Sequence, residues 1–308
     1  MSQNKLLIHT IAFNRVDLLK QLIESIDIQD YHLLIHITSD DQDIKNYCLS
    51  LASQDVAGSN NGKGLPPTTI YTNTENTITV IDIGYNIGVS ECWNEALIRA
   101  YKYDQYEQVL FVNSDIVFGK GDINKMLEFS KASSTKLITV CGTHGKHQDW
   151  KEKHLSHGFA CAILPKSIFE EVGYFDENLF PAYNEDCDYF TRVWLNRKLG
   201  PIKPGYDKIS AKDSPLVECV LTGQTHHHGS SVIYSDSNMM QRNAQTHANN
   251  NRYYMGKWGG LNDHEKYMTP FDEEVSFKIE YNVRHNPYEE YWDRNKDKEQ
   301  YYKQFKKD

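Results

Sequence analysis

Apolar residues in the first 120 positions form short runs that alternate with amphipathic segments. The runs KLLIHTIAF (5–13) and HLLIHITSD (32–40) predict buried strands, whereas the apolar positions of VDLLKQLIESI (16–26) recur on one face of a helix. The same patterns predict further strands at TTIYTN, ITVIDI and QVLFVNSD and further helices at QDIKNYCLSLASQ and VSECWNEALIRAYKY. This alternation predicts an α/β fold in which helices cover both faces of a mainly parallel sheet.

The pattern is less regular beyond residue 120, and one stretch before it has the composition of a loop. Residues 55–67 (DVAGSNNGKGLPP) are rich in Gly, Asn and Pro and predict a surface loop. The later segments predict a helix near 121–133, strands at KLITVCG, GFACAILP and PLVECVLTG, and helices at KSIFEEVG and from near Glu185. From about residue 236 the chain becomes polar and aromatic.

Composition and charge narrow the class of protein. The chain has 308 residues and a hydrophobic fraction of 39%. Its formal net charge of −9 argues against nonspecific nucleic-acid binding. No apolar run approaches the roughly 20 residues of a transmembrane helix, and the N-terminus lacks the features of a signal peptide. The six cysteines form no CxxC pair, and three lie in apolar runs. These features predict reduced thiols in a cytoplasmic protein, with peripheral contact to a membrane left open.

Polar side chains cluster where the predicted strands end. The first predicted strand is followed by Asn14-Arg15, and the second by Ser39-Asp40-Asp41. The helix at VSECWNEALIRAYKY is preceded by Asn86 and Gly88, and the strand at 108–112 ends in Asn113-Ser114-Asp115. Ligands of open α/β sheets bind beyond the carboxyl ends of the strands, so these residues predict a site, although Asx residues also favour turns. Asp115 interrupts an apolar run, and it either makes a turn or holds something charged. The chain contains no GxGxxG and no P-loop motif.

Five segments, in order, resemble the motifs of family 2 glycosyltransferases with the GT-A fold. The first strand and helix of the family are resembled by HTIAFNRVDLLKQLIESI (9–26). The start of their Asn-Gly helix is resembled by NIGVSECWNEALIRA (86–100). The strand that carries their aspartate motif is resembled by VLFVNSDIVF (109–118). The segment from Gly158 to Trp194, with YFDENLF and NEDCD, is the most specific match, and HHHGSS (226–231) resembles a late His-x-Gly-Ser position.

The resemblance covers about residues 5–235 and implies a GT-A domain over 1–235, followed by a helical or irregular extension over 236–308. It places the nucleotide-sugar half at about 1–120 and the acceptor half at about 121–235. Within the family it is nearest to the rhamnosyltransferase-like subgroup. The implied activity is metal-dependent transfer of a sugar, with inversion, from a UDP-, dTDP- or GDP-sugar to an acceptor hydroxyl in glycan or polysaccharide biosynthesis. The acceptor is a glycan, a lipid-linked sugar or a protein.

The leaving nucleoside diphosphate needs a cation, and the resemblance implies Mn²⁺ or Mg²⁺ held by Asp115. Asn113 stands at the first position of the family's Asp-x-Asp motif, where it can form hydrogen bonds but adds no charge. The register of HHHG implies His227 as a second metal ligand. The alternatives are that His226 or His228 faces the site, or that all three form a solvated loop.

The resemblance also implies residues for the rest of the donor site. Asp40 corresponds to the family's base-recognising aspartate, which accepts an N–H from uracil, thymine or guanine. The implied set of nucleotide-sugar-binding residues is Thr10, Asn14, Arg15, Asp40, Asn86, Gly88, Asn94, Asn113 and Ser114.

An inverting displacement needs a carboxylate that takes the proton of the acceptor hydroxyl. NEDCD supplies Glu185, Asp186 and Asp188, and the resemblance favours Asp186 as the base, Asp188 as the next candidate, and Glu185 as a ligand of an acceptor hydroxyl. Acidic residues also favour the start of a helix for purely electrostatic reasons, by roughly 0.3–1 kcal/mol each.

Other functions remain in competition. A nucleotide-sugar-binding protein of the same fold with weak or no catalysis is consistent with Asn113 in the metal motif. A nucleotidyltransferase would need a Gly-rich basic loop after the first strand, and FNRVD is not one. A zinc site made by His144, His147, His154 and His157 is disfavoured because their stretch has the pattern of a loop between strands.

Overall fold

The protein is described here from a computed structural model, which covers residues 6–52, 54–59, 68–73, 75, 77–103, 106–144, 159–200, 214–229 and 237–280. The domain boundary predicted at 235 and the tail from 281 lie outside these described residues, and so do His147, His154 and His157.

One ten-stranded sheet organises the chain, with the strand order β3-β4-β5-β2-β1-β6-β9-β8-β10-β7. The strands are β1 (Leu6–Ala12), β2 (Tyr31–Ile37), β3 (Gln54–Ser59), β4 (Thr68–Thr72), β5 (Ile78–Asp82), β6 (Gln108–Val112), β7 (Ile116–Val117), β8 (Leu137–His144), β9 (Cys161–Pro165) and β10 (Val217–His227). Only β4, β7 and β9 run against the other strands of this sheet.

Helices join the strands and lie on both faces. They are α1 (Val16–Glu24), α2 (Gln42–Leu51), α3 (Val89–Leu97), α4 (Asp122–Ala132), α5 (Lys166–Val172), α6 (Glu185–Asn196) and α7 (Ser237–Trp258). A π-helical segment, Ile98–Tyr103, continues α3, and a short 3-10 turn lies at Pro270–Asp272. The predicted architecture, a mainly parallel sheet flanked by helices, is confirmed. Within the described residues, no helix combines the length and the apolar character needed to cross a bilayer.

Two apolar cores, one on each face of the sheet, follow from the alternation of side chains along the strands. On β1, Leu7 faces the core under α3 and α6, while Leu6 and Ile8 face the core under α1 and α2. Aromatic rings fill the first core: the centroids of Trp93 and Phe175 lie 4.8 Å apart. This packing fixes α3 against the sheet and so fixes the edge where the strands end.

A chain of polar side chains crosses this otherwise apolar face. His9 Nε2 lies 2.7 Å from His36 Nδ1, and His36 Nε2 lies 2.8 Å from Glu95 Oε2. Both imidazoles are fully buried, and His9 Nδ1 has no hydrogen-bond partner among the described residues. If Glu95 is ionised and both rings are neutral, His36 donates from its Nε2 to Glu95, and His9 donates from its Nε2 to His36 Nδ1. An added proton would leave a donor without an acceptor in the core.

This arrangement predicts that acid weakens the fold through His9. Burial first, and then His36, lower the pKa of His9 well below its ordinary 6.5. As the pH falls below about 6.5, the unfolded chain therefore binds the proton first, and the free energy of unfolding should drop by up to about 1.4 kcal/mol per pH unit until the folded-state pKa is reached. Above about pH 6.5 this contribution should be constant.

Urea unfolding at about pH 7.5 and about pH 5.5 measures the effect, with His9→Leu as the comparison because other histidines also titrate. The variant should lose less stability between the two pH values than the parent. Equal losses would contradict the role of His9.

The cysteines differ from expectation at one position. Cys48, Cys92, Cys161 and Cys187 are free and buried, as predicted. Cys219 is disulfide-bonded, so the prediction of a reduced thiol is wrong there. Since disulfides are typical of oxidising compartments, the cysteines do not support the cytoplasmic prediction.

One local prediction is also wrong. Part of the predicted loop at 55–67 is strand, because β3 pairs with β4 at the sheet edge, while residues 60–67 lie outside the described part. At the start of α1, Arg15 is the N-cap residue, in a left-handed conformation (φ 59°) and with no side-chain cap.

Candidate active site

The centre of the candidate site is a contact between Asp115 and His227. Asp115 is 5% exposed, and its Oδ1 lies 3.2 Å from His227 Nε2. Backbone pairing sets this contact: His227 is opposite Ile116 in the β10–β7 ladder, and the His228 amide donates to the Asp115 carbonyl at 3.0 Å. The sequence left open whether Asp115 makes a turn or holds something charged, and the structure shows the turn, since the Ile116 amide donates to the Asn113 carbonyl at 3.2 Å.

The three adjacent histidines divide between two directions, as extended backbone requires. His227 reaches Asp115, while the rings of His226 and His228 contact each other with centroids 4.4 Å apart. The polar stretch that looked like a loop is therefore ordered by β10 up to His227.

Arg15 supplies positive charge beside this group. Its pKa is raised first by the hydrogen bond to Asp17 and to a smaller extent by the charge of Asp115. His228 feels the same charges: burial and then His226 lower its pKa, Asp115 raises it, and Arg15 lowers it again. Arg15 donates to both oxygens of Asp17, at 2.9 and 2.8 Å, so an incoming anion would share the guanidinium with that carboxylate.

Other predicted donor-site residues lie at the same edge of the sheet. The side chain of Asn113 is exposed, and its backbone N–H donates to the Ala160 carbonyl at 2.8 Å. Ser114 is buried, and Asn14 is half-buried. Asp40 is exposed at the end of β2, and its neighbour Asp41 is the residue that caps α2. The Asp40 carboxylate is therefore not needed to start that helix.

Four of the predicted nucleotide-binding residues lie inside the fold or shape its turns. Thr10 is 1% exposed inside β1, ahead of its carboxyl end. Asn86 Oδ1 accepts from the Gly88 amide at 2.9 Å, which shapes the turn before α3. Gly88 has φ 91°, and a Cβ there would lie 2.7 Å from the Phe180 ring.

Asn94 is the clearest of these cases. It is 1% exposed, and its side chain accepts from the Phe175 amide at 2.8 Å and donates to the Phe175 carbonyl at 3.0 Å and to Glu177 at 3.1 Å. Its amide group is thus used in joining α3 to the loop before α6, and we do not retain it in the candidate site.

The start of α6 presents two carboxyl groups in different environments. Glu185 is 7% exposed; burial and then the charge of Asp186 raise its pKa well above the ordinary value. Its Oε2 has no hydrogen-bond partner among the described residues. Asp186 is half-buried and accepts from the Cys187 amide at 2.8 Å. Burial and the charge of Asp186 thus disfavour the ionised form of Glu185.

Asp188 is not accessible to a substrate, which corrects its place as second candidate for the base. It is fully buried, and its carboxylate is bonded to Arg192 Nε at 2.8 Å, to Lys257 Nζ at 2.6 Å and to Trp258 Nε1 at 2.9 Å. Lys257 also contacts Asp176 at 2.7 Å. Sequence reasoning missed this network because Lys257 and Trp258 lie about seventy residues beyond Asp188.

We therefore expect Asp188→Asn to impair folding rather than chemistry. Removing one partner of a buried ion pair typically costs about 3–5 kcal/mol, because the other charge is left without compensation. Urea unfolding of the variant should show a loss of this size. A variant with normal stability and no activity would return Asp188 to the list of candidate bases.

The two groups of candidate side chains lie at one edge of the sheet. The loop before α6 is anchored to the start of α3, where the Val89 amide donates to the Pro181 carbonyl at 2.7 Å and Gly88 lets the Phe180 ring approach. Since α3 begins beyond the carboxyl end of β5, the α6 carboxyls share the edge occupied by Asp115 and Arg15.

The Asp115–His227 pair fits one divalent cation. Neighbouring ligands of an octahedral ion with bonds of about 2.1 Å lie about 3 Å apart, close to the 3.2 Å observed between Asp115 Oδ1 and His227 Nε2. No group of three or more His, Cys, Asp or Glu side chains in the described part of the chain is arranged to hold a metal. Diphosphate oxygens and water would have to complete the coordination.

Comparisons with known proteins give only distant matches. No protein-family profile and no curated protein matches the chain. Among solved structures, S. aureus TarS 1-349 aligns with a TM-score of 0.46 and 12% identity over 79% of this chain and 65% of that one. The same TarS fragment in complex with UDP-GlcNAc gives 0.46 and 12% over 72% and 58%. A longer TarS structure gives 0.46 and 13% over 73% of this chain and 37% of its own. Similarity of this degree assigns no substrate and no residue role to this chain.

Proposed function

We propose that this chain is an inverting glycosyltransferase that moves a sugar from a nucleoside-diphosphate-sugar to an acceptor hydroxyl. The observation that carries the proposal is the placement of two groups at one edge of the sheet. One group, Arg15, Asp115 and His227, suits a diphosphate and its counter-cation, and the other, Glu185 and Asp186, suits an acceptor hydroxyl. The motif resemblance names the same groups independently of this geometry.

On the donor side, Arg15 and the first amides of α1 bind the diphosphate, because the start of a helix and a guanidinium both favour anions. Asp115 and His227 would hold Mn²⁺ or Mg²⁺, and the bound cation would supply charge stabilisation for the leaving group. Asp40, exposed beyond β2, accepts an N–H of the nucleobase. Uracil, thymine and guanine all offer such a donor.

On the acceptor side, Asp186 takes the proton of the attacking hydroxyl. The acceptor oxygen then bonds to the anomeric carbon, and the bond from that carbon to the diphosphate oxygen breaks, so the nucleoside diphosphate departs with the electron pair. Glu185, kept neutral by burial and by Asp186, donates a hydrogen bond to the acceptor. Attack opposite to the leaving group gives inversion.

A nucleotide-sugar-binding protein without turnover is the second candidate. It is favoured by Asn113 in place of a carboxylate and by a candidate metal pair that, in the described part of the chain, contains one carboxylate, because one carboxylate holds Mn²⁺ or Mg²⁺ weakly. The two candidates differ in turnover and not in donor binding.

A screen of UDP-, GDP- and dTDP-sugars separates them. Calorimetry measures binding, and chromatography measures release of the nucleoside diphosphate with Mn²⁺, with Mg²⁺ and with EDTA. Inclusion of dTDP-rhamnose tests the rhamnosyltransferase-like subgroup. Metal-dependent release supports the transferase, binding without release supports the binding protein, and absence of both contradicts the proposal.

A further inference from the structure

The backbone just before the α6 carboxyls adopts an unfavourable conformation. Tyr183 and Asn184, consecutive and neither of them glycine, have φ values of 82° and 70°. Left-handed conformations typically cost about 1–2 kcal/mol for such residues, so the surrounding structure must hold them. The turn that they form sets the direction in which Glu185 and Asp186 leave the helix start.

Side chains of α7 hold this turn, and Asn250 alone among them donates to two of its carbonyls in the described part of the chain. Asn250 is 3% exposed, and its Nδ2 donates to the carbonyl of Ala182 at 2.6 Å and to that of Tyr183 at 3.0 Å. Both donor hydrogens of the amide group are thus used on two successive carbonyls. The neighbouring Asn251 adds a lateral contact, because it accepts from Asn184 at 2.9 Å.

The position of Asn250 is itself fixed two turns further along α7. Lys257 Nζ lies between Asp176 Oδ2, at 2.7 Å, and Asp188 Oδ1, at 2.6 Å, and all three side chains are fully buried. Tyr253 donates to Asp176 at 2.7 Å. These contacts bind α7 to α6 and to the loop before it. The Asn250 side chain is therefore held in a fixed position against the turn.

We propose that Asn250 is a positioning residue for the acceptor base, and that α7, in the predicted C-terminal extension, is thereby part of the acceptor half of the enzyme. This inference rests on the proposed function, since it assigns Asn250 to the placement of Asp186. Without the two donated hydrogen bonds, the strained turn relaxes and the Asp186 carboxylate moves away from the acceptor hydroxyl. The donor group around Asp115 does not depend on this turn.

The test is Asn250→Asp, which keeps the shape of the side chain but replaces both donor hydrogens by an acceptor facing two carbonyls. Asn249→Asp is the matched control on the preceding position of the same helix: its Oδ1 accepts from Gln245 at 3.3 Å, and a carboxylate can accept there too. In Asn250→Asp we expect kcat to fall about a hundredfold, as for a misplacement of about 1 Å, with the donor Kd unchanged. The control should keep both values.

Two outcomes would overturn the proposal: a kcat equal to that of the control, or a loss of donor affinity that accounts for the loss of activity. If Asn250→Asp does not fold, Asn250→Ala takes its place, because it removes the donors without adding charge. Asn249→Ala is then the control.

Amide hydrogen exchange makes the test independent of activity. Exchange at residues 183–188 should accelerate in the Asn250 variant and not in the control, while protection in β1 and β6 stays the same. If the parent protein transfers no sugar from any donor, the proposed function fails, but the exchange result still decides whether Asn250 holds the turn. Unchanged exchange at 183–188 would overturn the inference even in an active enzyme.

Discussion

Asp115→Asn is expected to lower sugar transfer by about 10²–10³-fold and to abolish its dependence on Mn²⁺. Asparagine keeps the size of the side chain and can still contact His227 Nε2, which lies 3.2 Å from Asp115 Oδ1 in the parent. What it removes is the negative charge. Loss of one preorganised electrostatic contact to a developing charge typically reduces kcat by this amount, and a neutral amide is a poor ligand for a hard cation.

The fold should tolerate this change. Asp115 is placed by backbone contacts, namely the hydrogen bond of its carbonyl to the His228 amide and the pairing of β7 with β10, and neither uses the carboxylate. Thermal unfolding of the variant should therefore resemble that of Asp43→Asn, a control with the same chemical change at an exposed position in the first turn of α2.

Two measurements check the prediction. Initial rates are taken across a Mn²⁺ titration, and Mn²⁺ binding is followed by electron paramagnetic resonance in the presence of the nucleoside diphosphate. The variant should show neither metal-dependent activity nor tight Mn²⁺ binding. Parental turnover in Asp115→Asn at saturating Mn²⁺ would show that this carboxylate does not hold the cation.

The strands and helices near the start of the chain could be predicted because the spacing of their apolar side chains follows the two faces of the sheet. In β1 and β2 the predicted runs match the strands of the structure within one to three residues, and α1 follows its helical stripe. Helix α6 also begins at Glu185, as predicted. These elements are specified by local periodicity, which needs no knowledge of distant partners.

The contacts that make the site depend on distant partners and could not be predicted in the same way. Nothing in the periodicity near residue 116 indicates that β7 pairs with His226 and His227 at the end of β10. The sequence reasoning placed His227 beside Asp115 through a motif resemblance, and the pairing of the strands is the physical reason that they meet.

The acids at the start of α6 show that a motif does not distinguish the functions of neighbouring residues. Asp186 and Asp188 are two residues apart in one acidic helix start, and the sequence ranks them by motif alone. In the structure one is half-buried at the surface, and the other is fully buried between Arg192 and Lys257. Burial on a helix changes within one turn, so the functions of neighbouring acids are set by packing against α7 rather than by the motif.

Asp186→Asn is expected to reduce kcat by about 10²–10⁴-fold while the donor Kd stays unchanged. The amide has the shape of the carboxylate and can still accept from the Cys187 amide, which lies 2.8 Å from Asp186 Oδ1 in the parent. It cannot take a proton at neutral pH, and loss of a general base typically has an effect of this size. Calorimetry with the nucleotide sugar and a transfer assay together provide the two values.

Glu185→Gln is the matched comparison, because it makes the same change one residue away. Glu185 already favours the neutral form, since burial and the charge of Asp186 raise its pKa, so the amide preserves a donor in its place. Its variant should raise the acceptor KM more than it lowers kcat, whereas Asp186→Asn should do the reverse. If Glu185→Gln loses kcat and Asp186→Asn retains it, the base is Glu185. The raised pKa of that residue would then have to be reversed by the bound acceptor, because a carboxyl that stays neutral cannot accept the hydroxyl proton.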